Sequence, residues 1–267
     1  MEFLTILFSS LLTVISPVNT VSDTVIERQL RDRLHGVEVL EVRIDNTPNY
    51  QVIRGKIDRF RLAGRGLYVL PDLRIDTLDI ETDPIAVDLE KLRRGSRDRA
   101  VESLQRPAIA AIHLVLTETD LNRALRSPEF LNTLQTVATE IFDSPLLRQN
   151  ASRYTLVDPQ IELLENNRIV FETQLAEKGY SDRLKLTIKT GFRWIDGRQL
   201  ELREPQVLVN DRPAPGQFVR GLNAVARRFN LDRAADRGIQ ARAIRVQIAG
   251  DRLETVLFVR SIATHSP

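Results

Sequence analysis

Arg183-Leu184-Lys185-Leu186-Thr187-Ile188-Lys189-Thr190-Gly191-Phe192-Arg193-Trp194 alternates apolar and polar side chains almost without a break. Leu184, Leu186, Ile188, Phe192 and Trp194 hold one parity, with Thr190 among them. Arg183, Lys185, Thr187, Lys189 and Arg193 hold the other. A period of two predicts a strand with one apolar and one solvated face. The eleven residues from Leu184 to Trp194 span about 36 Å at roughly 3.3 Å each, about twice a usual strand. Further along, Phe218, Leu222, Val225 and Phe229 recur at helical spacing and predict a helix with an apolar stripe. Long one-sided strands beside amphipathic helices mark a fold that shelters apolar material.

The segments on either side repeat the pattern. Ile169, Phe171, Thr173 and Leu175 alternate before the long strand, after a turn at Glu165-Asn166-Asn167. Asp196-Gly197 is a hairpin turn, and Leu200, Leu202, Val207 and Val209 mark the return limb. Toward the N-terminus, Leu40, Val42 and Ile44 predict a strand, Asn46-Thr47-Pro48-Asn49 a turn, and Val52 to Leu62 a second strand. Gly64-Arg65-Gly66 interrupts the pattern before Leu67. Pro71-Asp72 opens a strand from Leu73 to Thr82, and Ile112, Leu114 and Leu116 make another. Ile244 to Ile248, a turn at Gly250-Asp251, and Leu253 to Val259 close the chain.

Helices fall between these strands. Val18, Val21, Val25, Ile26, Leu30 and Leu34 predict one that ends near His35-Gly36. Thr117-Glu118-Thr119-Asp120 offers helix-start chemistry, with Thr117 and Asp120 as a capping box or Thr119 as the cap. Ser127-Pro128 restarts the helix, whose apolar face carries Phe130, Leu131, Leu134, Val137, Ala138 and Ile141. Two parity slips stand out. Leu73 and Ile75 are odd where Leu78 and Ile80 are even, and Ala241 and Ala243 give way to Ile244, Val246 and Ile248. Each predicts a bulge, and bulges curve a sheet. The expected fold is α+β, a long, curved, mainly antiparallel sheet wrapped around amphipathic helices, in one domain over 18–262 after an apolar leader or anchor over 1–17.

Composition narrows the function. Hydrophobic residues make up 42% of the 267, enough for a core. Lys and Arg number 38 against 36 Asp and Glu, so nothing argues for nucleic acid as a partner. The chain has no cysteine, which removes disulfides, thiolate metal sites and thiol nucleophiles. Phe3 to Ser16 is an uncharged run of 14 residues closed by Pro17, short for a spanning helix. It suits a signal-peptide core, although Glu2 stands where a basic residue is usual. An atypical export signal, an uncleaved anchor, a helix lying on the membrane and a buried helix all remain open, and the expectation is envelope or membrane association.

Catalytic patterns are weak. His35, His113 and His265 share no ligand spacing. Gly64-x-Gly66 lacks the third glycine, the lysine and the following helix of a phosphate loop. Asp76, Asp79, Glu81, Asp83 and Asp88 do not match a calcium loop, and Asp79, Glu81 and Asp83 share one solvated strand face. No Gly-x-Ser-x-Gly elbow is present. No cofactor or metal is expected.

Lys56-Ile57-Asp58-Arg59-Phe60-Arg61-Leu62-Ala63-Gly64-Arg65-Gly66-Leu67, followed by Pro71-Asp72-Leu73-Arg74-Ile75, resembles the LmeA-like phospholipid-binding family. Glu81-Thr82-Asp83-Pro84-Ile85-Ala86-Val87-Asp88 and Leu116-Thr117-Glu118-Thr119-Asp120-Leu121-Asn122-Arg123-Ala124-Leu125 extend the likeness, which runs from about Ser22 to Val259. The resemblance implies a curved sheet akin to tubular lipid-binding proteins, an apolar groove for acyl chains and an envelope location, periplasmic or membrane-associated. It carries no catalytic set.

The leading expectation is therefore a non-enzymatic protein that binds or transfers phospholipid or another acyl lipid and meets a membrane surface. The groove is expected to be lined by Phe171, Leu175, Leu184, Leu186, Ile188, Phe192 and Trp194, with Phe218, Leu222, Val225 and Phe229 from the helix. Arg220, Arg227 and Arg228 are rim candidates for headgroup phosphates. The alternative is a membrane-tethered envelope scaffold that binds another protein and has no lipid cavity.

Overall fold

The computed structural model describes residues 23–32, 34–47, 51, 54–94, 102–140, 153–177 and 179–262. The leader expected at 1–17, with Val18, Val21 and Val52, lies outside them. Helix α1 (Asp23–Arg31) leads into β1 (Gly36–Asp45), β2 (Lys56–Ile57), β3 (Arg59–Leu70), β4 (Leu73–Thr82) and β5 (Ile85–Ala86). Then come α2 (Leu89–Arg94), β6 (Ile109–Thr117), α3 (Glu118–Leu125) and α4 (Pro128–Glu140). The second half runs β7 (Tyr154–Leu164), β8 (Arg168–Glu177), β9 (Arg183–Ile195), β10 (Gln199–Val209), β11 (Arg212–Pro213) and α5 (Gly216–Arg228). A 3-10 helix (Leu231–Arg237) precedes β12 (Ile239–Ala249) and β13 (Arg252–Ser261).

The fold is α+β and mostly antiparallel sheet, as the alternation predicts. The strands divide between two open sheets rather than forming one. One has the order β1-β3-β4-β6-β13-β12, the other β11-β10-β9-β8-β7, and β2 pairs with β5 as a ribbon. The division follows from the last hairpin, which returns to pair with β6 and leaves the middle strands to form a sheet of their own.

The six-stranded sheet carries the ordinary core. Val42, Leu62, Ile80, Ile112, Leu257 and Ala243 are opposed in turn across all six strands, and all are buried. The neighbouring row on the other face is Glu41, Ala63, Asp79, His113, Val256 and Arg245. Period-two alternation thus separates a dry face from a wet one. Asp79 and Glu81 lie on the wet face as expected, bonded to Arg65 and Arg59.

Local chemistry corrects two expectations and bears out two others. Gly64-x-Gly66 does not interrupt a strand, because β3 runs through it. Gly66 sits at φ +58, where a Cβ would stand 2.2 Å from the Glu38 carboxyl carbon, so the glycine admits that side chain against the strand. The slip between Ile75 and Leu78 is not a bulge. Register between β3 and β4 is constant there, the shift lying between Tyr68 and Leu70, and Ile75 and Leu78 are both buried because β4 is covered on both faces. The slip near Ala243 is a bulge, with its shift between Ala243 and Arg245. Ile244 is the extra residue and is 67% exposed. Of the two caps considered for α3, Thr117 is the one used. Its Oγ1 accepts from the Asp120 N–H at 3.1 Å and donates to the Asp120 carboxylate at 2.7 Å.

The five-stranded sheet is held at one edge and one end. Along β7, Asn122 of α3 donates to the Ile161 carbonyl and accepts from the Ile161 N–H, both at 2.8 Å. Leu163 N–H donates to Glu118 and Leu156 N–H to Gln135, so helix side chains replace a neighbouring strand. At one end, both hairpin turns rest on β12. The Asn167 amide bonds Val246 and Ile248, and Ala243 N–H donates to the Gly197 carbonyl at 2.7 Å.

Candidate functional site

Pairing register puts the predicted apolar residues of β8 and β9 on one face. Leu175 opposes Leu184, Phe171 opposes Ile188, and Thr173 opposes Leu186. The rows continue outward to Leu156, Ile161 and Leu163 on β7, and to Leu200, Leu202, Val207 and Val209 on β10. Phe192 faces Leu202, and Trp194 faces Leu200. Seven of the eleven predicted lining residues therefore share a continuous surface. Along the eleven residues from Leu184 to Trp194 it runs about 36 Å at roughly 3.3 Å per residue.

The β7 and β10 members of this surface were not predicted as lining. Their signal was present as a change of parity, from Leu156 to Ile161 and Leu163, and from Leu200 and Leu202 to Val207 and Val209. Register shifts between Val157 and Gln160, and between Arg203 and Gln206, return both halves of each strand to one face.

The opposite face is solvated. Lys185, Lys189 and Arg193 are exposed there. Lys185 Nζ lies 2.9 Å from Glu172, and Thr187 donates to the same carboxylate at 3.0 Å. The Lys185 hydrogen bond holds the Glu172 carboxyl below the usual carboxylate range, and the same bond raises Lys185. Arg193 pairs with Glu201. Such a charged face cannot take a helix with an apolar stripe, so α4 and α5 lie over the other one.

Those helices cover it unevenly. Helix α5 packs along β10, α4 leans on β7, and the two touch each other, while neither packs extensively on β8 or β9. Burial follows only in part. Val207 on β10 and Leu156 and Leu163 on β7 are buried, while Leu200, Leu202 and Val209 on β10 and Ile161 on β7 are half-buried. Ile169, Phe171, Leu175, Leu184, Leu186, Ile188, Phe192 and Trp194 on the two inner strands are only half-buried. Thr173 and Thr190 are buried polar exceptions, and each hydroxyl donates to a backbone carbonyl.

The helix residues separate. Phe218 and Leu222 are half-buried, and Val225 is buried. Phe229 is not on the helix. It is the residue after α5, where the chain turns to bond β10 through Leu200 N–H, and it is 55% exposed. Arg220, Arg227 and Arg228 are exposed on α5.

A groove of about 690 Å³ lies over the six-stranded sheet, with charged residues such as Arg43, Arg61, Asp79 and Glu81 set among apolar ones such as Leu62, Ala63, Ala111 and Val256. Its charges largely answer one another. Asp45 accepts from Arg61 and Arg43, bonds that hold its carboxyl low, and Asp79 pairs with Arg65 and lies 3.4 Å from His113. Among the described residues no three His, Asp or Glu side chains are grouped to hold a metal ion, and no helix is long and apolar enough to cross a membrane. Residues 14–257 match the model of one protein family, described as LmeA-like phospholipid-binding. No curated protein and no solved structure matches the chain.

Proposed function

The chain is a member of the LmeA-like phospholipid-binding family, and from that premise we propose that it carries an acyl lipid on the apolar face of the five-stranded sheet, without transforming it. One observation carries this reading. In an ordinary packed sheet the inner strands are the most deeply covered, whereas here no apolar side chain of β8 or β9 on this face is buried, and the buried apolar ones, Leu156, Leu163 and Val207, stand on β7 and β10. The guest would lie on the strip of β8 and β9 that α4 and α5 do not cover.

The energetics suit a hydrocarbon tail. Each methylene removed from water contributes about 0.8 kcal/mol, so ten supply about 8 kcal/mol before the cost of association. Nothing in that strip discriminates headgroups, and Arg220, exposed on α5, is the cation suited to meet a phosphate, while Arg227 and Arg228 stand at the far end of the helix, beside Phe229. The sheet and its helices act as a half-tube around the tail, within one unit spanning 18–262. The uncharged run from Phe3 to Ser16 supports a site of action in the cell envelope.

Trp194 is the chain's one tryptophan and belongs to the proposed lining, so its fluorescence reports occupancy. Titration with a phospholipid bearing a fluorescent acyl chain is expected to give saturable energy transfer that unlabelled phospholipid reverses. No saturable transfer, from protein shown to be folded, overturns the proposal.

A further inference from the structure

The two ends of the apolar strip differ. At the inner end, Trp194 packs against the core of the six-stranded sheet. The turns at Asn167 and Gly197 are bonded to β12 there, through the Asn167 side-chain amide and the Gly197 carbonyl, so that end is closed by hydrogen bonds and packed side chains. At the outer end the last apolar row is Leu156, Leu175 and Leu184. Beyond it the chain turns between β8 and β9, and this turn carries Tyr180. At 71% exposure, Tyr180 is the most exposed large hydrophobic side chain among the described residues.

We infer that the outer end is the mouth of the strip, that a lipid enters it tail first, and that Tyr180 is the contact with the membrane that supplies the lipid. The inference rests on the proposed function and adds a direction and a docking point to it. An exposed tyrosine, apolar in its ring and polar at its tip, suits the boundary between headgroups and acyl chains. Leu175 and Leu184 then continue the apolar path from the bilayer into the sheet. By sequence, charge at this end is net positive, with Arg153, Lys178, Arg183, Lys185 and Arg212 against Glu177, Asp182 and Asp211, so docking favours an anionic surface. Tail-first uptake leaves the headgroup outside. Arg220 is the α5 arginine nearest that end, and its guanidinium reaches back to within 3.6 Å of where a Gly216 Cβ would stand.

Two measurements on the full chain test this. Stearic acid labelled with an anthroyloxy group at C2 or at C16 accepts energy from Trp194. The tail-first arrangement predicts stronger transfer to the C16 label. Pickup of labelled lipid from phosphatidylcholine vesicles, with and without phosphatidylglycerol, is then compared for the wild type and Tyr180→Ser. The variant is expected to slow pickup roughly tenfold, as loss of one aromatic membrane contact does. Saturation should be unchanged when lipid is added from ethanol, and phosphatidylglycerol should speed pickup. Equal or stronger transfer to the C2 label, or an unchanged pickup rate in Tyr180→Ser, overturns the inference while leaving the proposed function standing. A wild type that binds neither label removes both.

Discussion

Phe171→Ala separates a lipid-lining role from a packing role. The ring lies mid-sheet, opposite Ile161 on β7 and Ile188 on β9, and is half-buried by the protein. A phenylalanine offers about 200 Å² of surface, of which at most about a third, about 70 Å², is left for a guest. At about 25 cal/mol per Å² that area is worth up to about 1.8 kcal/mol of binding, or roughly 20-fold in affinity. The part already covered by the protein costs the fold about 2–3 kcal/mol when removed. The variant is expected to fold with a lowered melting temperature and, measured below it, to bind lipid roughly 20-fold more weakly. Phe171→Asp adds a carboxylate to the strip and should abolish uptake. Lys189→Ala, on the solvated face, is the control and should bind as the wild type does. Titration with the fluorescent acyl probe, beside thermal melts, reads both quantities. Binding by folded Phe171→Ala within about threefold of wild type, or equal weakening by Lys189→Ala, refutes the assignment of this face.

Other substitutions test the scaffold. Asn122→Leu removes both hydrogen bonds to Ile161 and leaves that peptide unpaired; denaturant unfolding should show a loss of about 2–4 kcal/mol. Gly197 and Gly250 share a left-handed φ of +67 and +63, but a Cβ at Gly197 would meet the Ala243 carbonyl oxygen at 2.6 Å, whereas one at Gly250 would meet nothing within 4 Å. Alanine should cost about 1 kcal/mol at Gly250 and clearly more at Gly197, and equal costs in paired melts contradict the docked turn. Arg74 bonds Glu38 and the buried Asp120, so Arg74→Met should cost about 3 kcal/mol at neutral pH by leaving that carboxylate with only the more distant Arg123, 3.7 Å away. Hydrogen bonding from Arg74 holds Glu38 below the ordinary carboxylate range in the folded state. Its stabilising share is therefore present at neutral pH and lost as pH falls through the folded value. The wild type should lose stability across the acid range, and Arg74→Met should show a shallower loss.

Much of the fold was legible because alternation is a local property. The bounds of β9, β8 and β10 follow from side-chain parity, and the start of α3 follows from Thr117 and Asp120. Partnership is not local. That Leu163 shares a face with Ile169, or Val207 with Ile188, depends on register, and on two bulges that the parity changes in β7 and β10 signalled only indirectly. For the same reason the division into two sheets was not readable, since it depends on β13 returning to β6 across more than a hundred residues. In β4 a parity change that looked like a bulge proved to be a strand covered on both faces, which spacing alone does not distinguish. Phe229 kept helical spacing past the end of its helix. The uneven cover over β8 and β9, on which the functional reading rests, depends on where two helices come to lie and leaves no mark in the strands themselves.

Native mass spectrometry of the full chain, purified without delipidating detergent, tests the central claim most directly. The account predicts a species heavier than the polypeptide by the mass of an acyl lipid, which organic extraction releases as phospholipid and which Phe171→Asp does not retain. A wild type that is bare under these conditions, and stays bare after incubation with phospholipid vesicles, contradicts it.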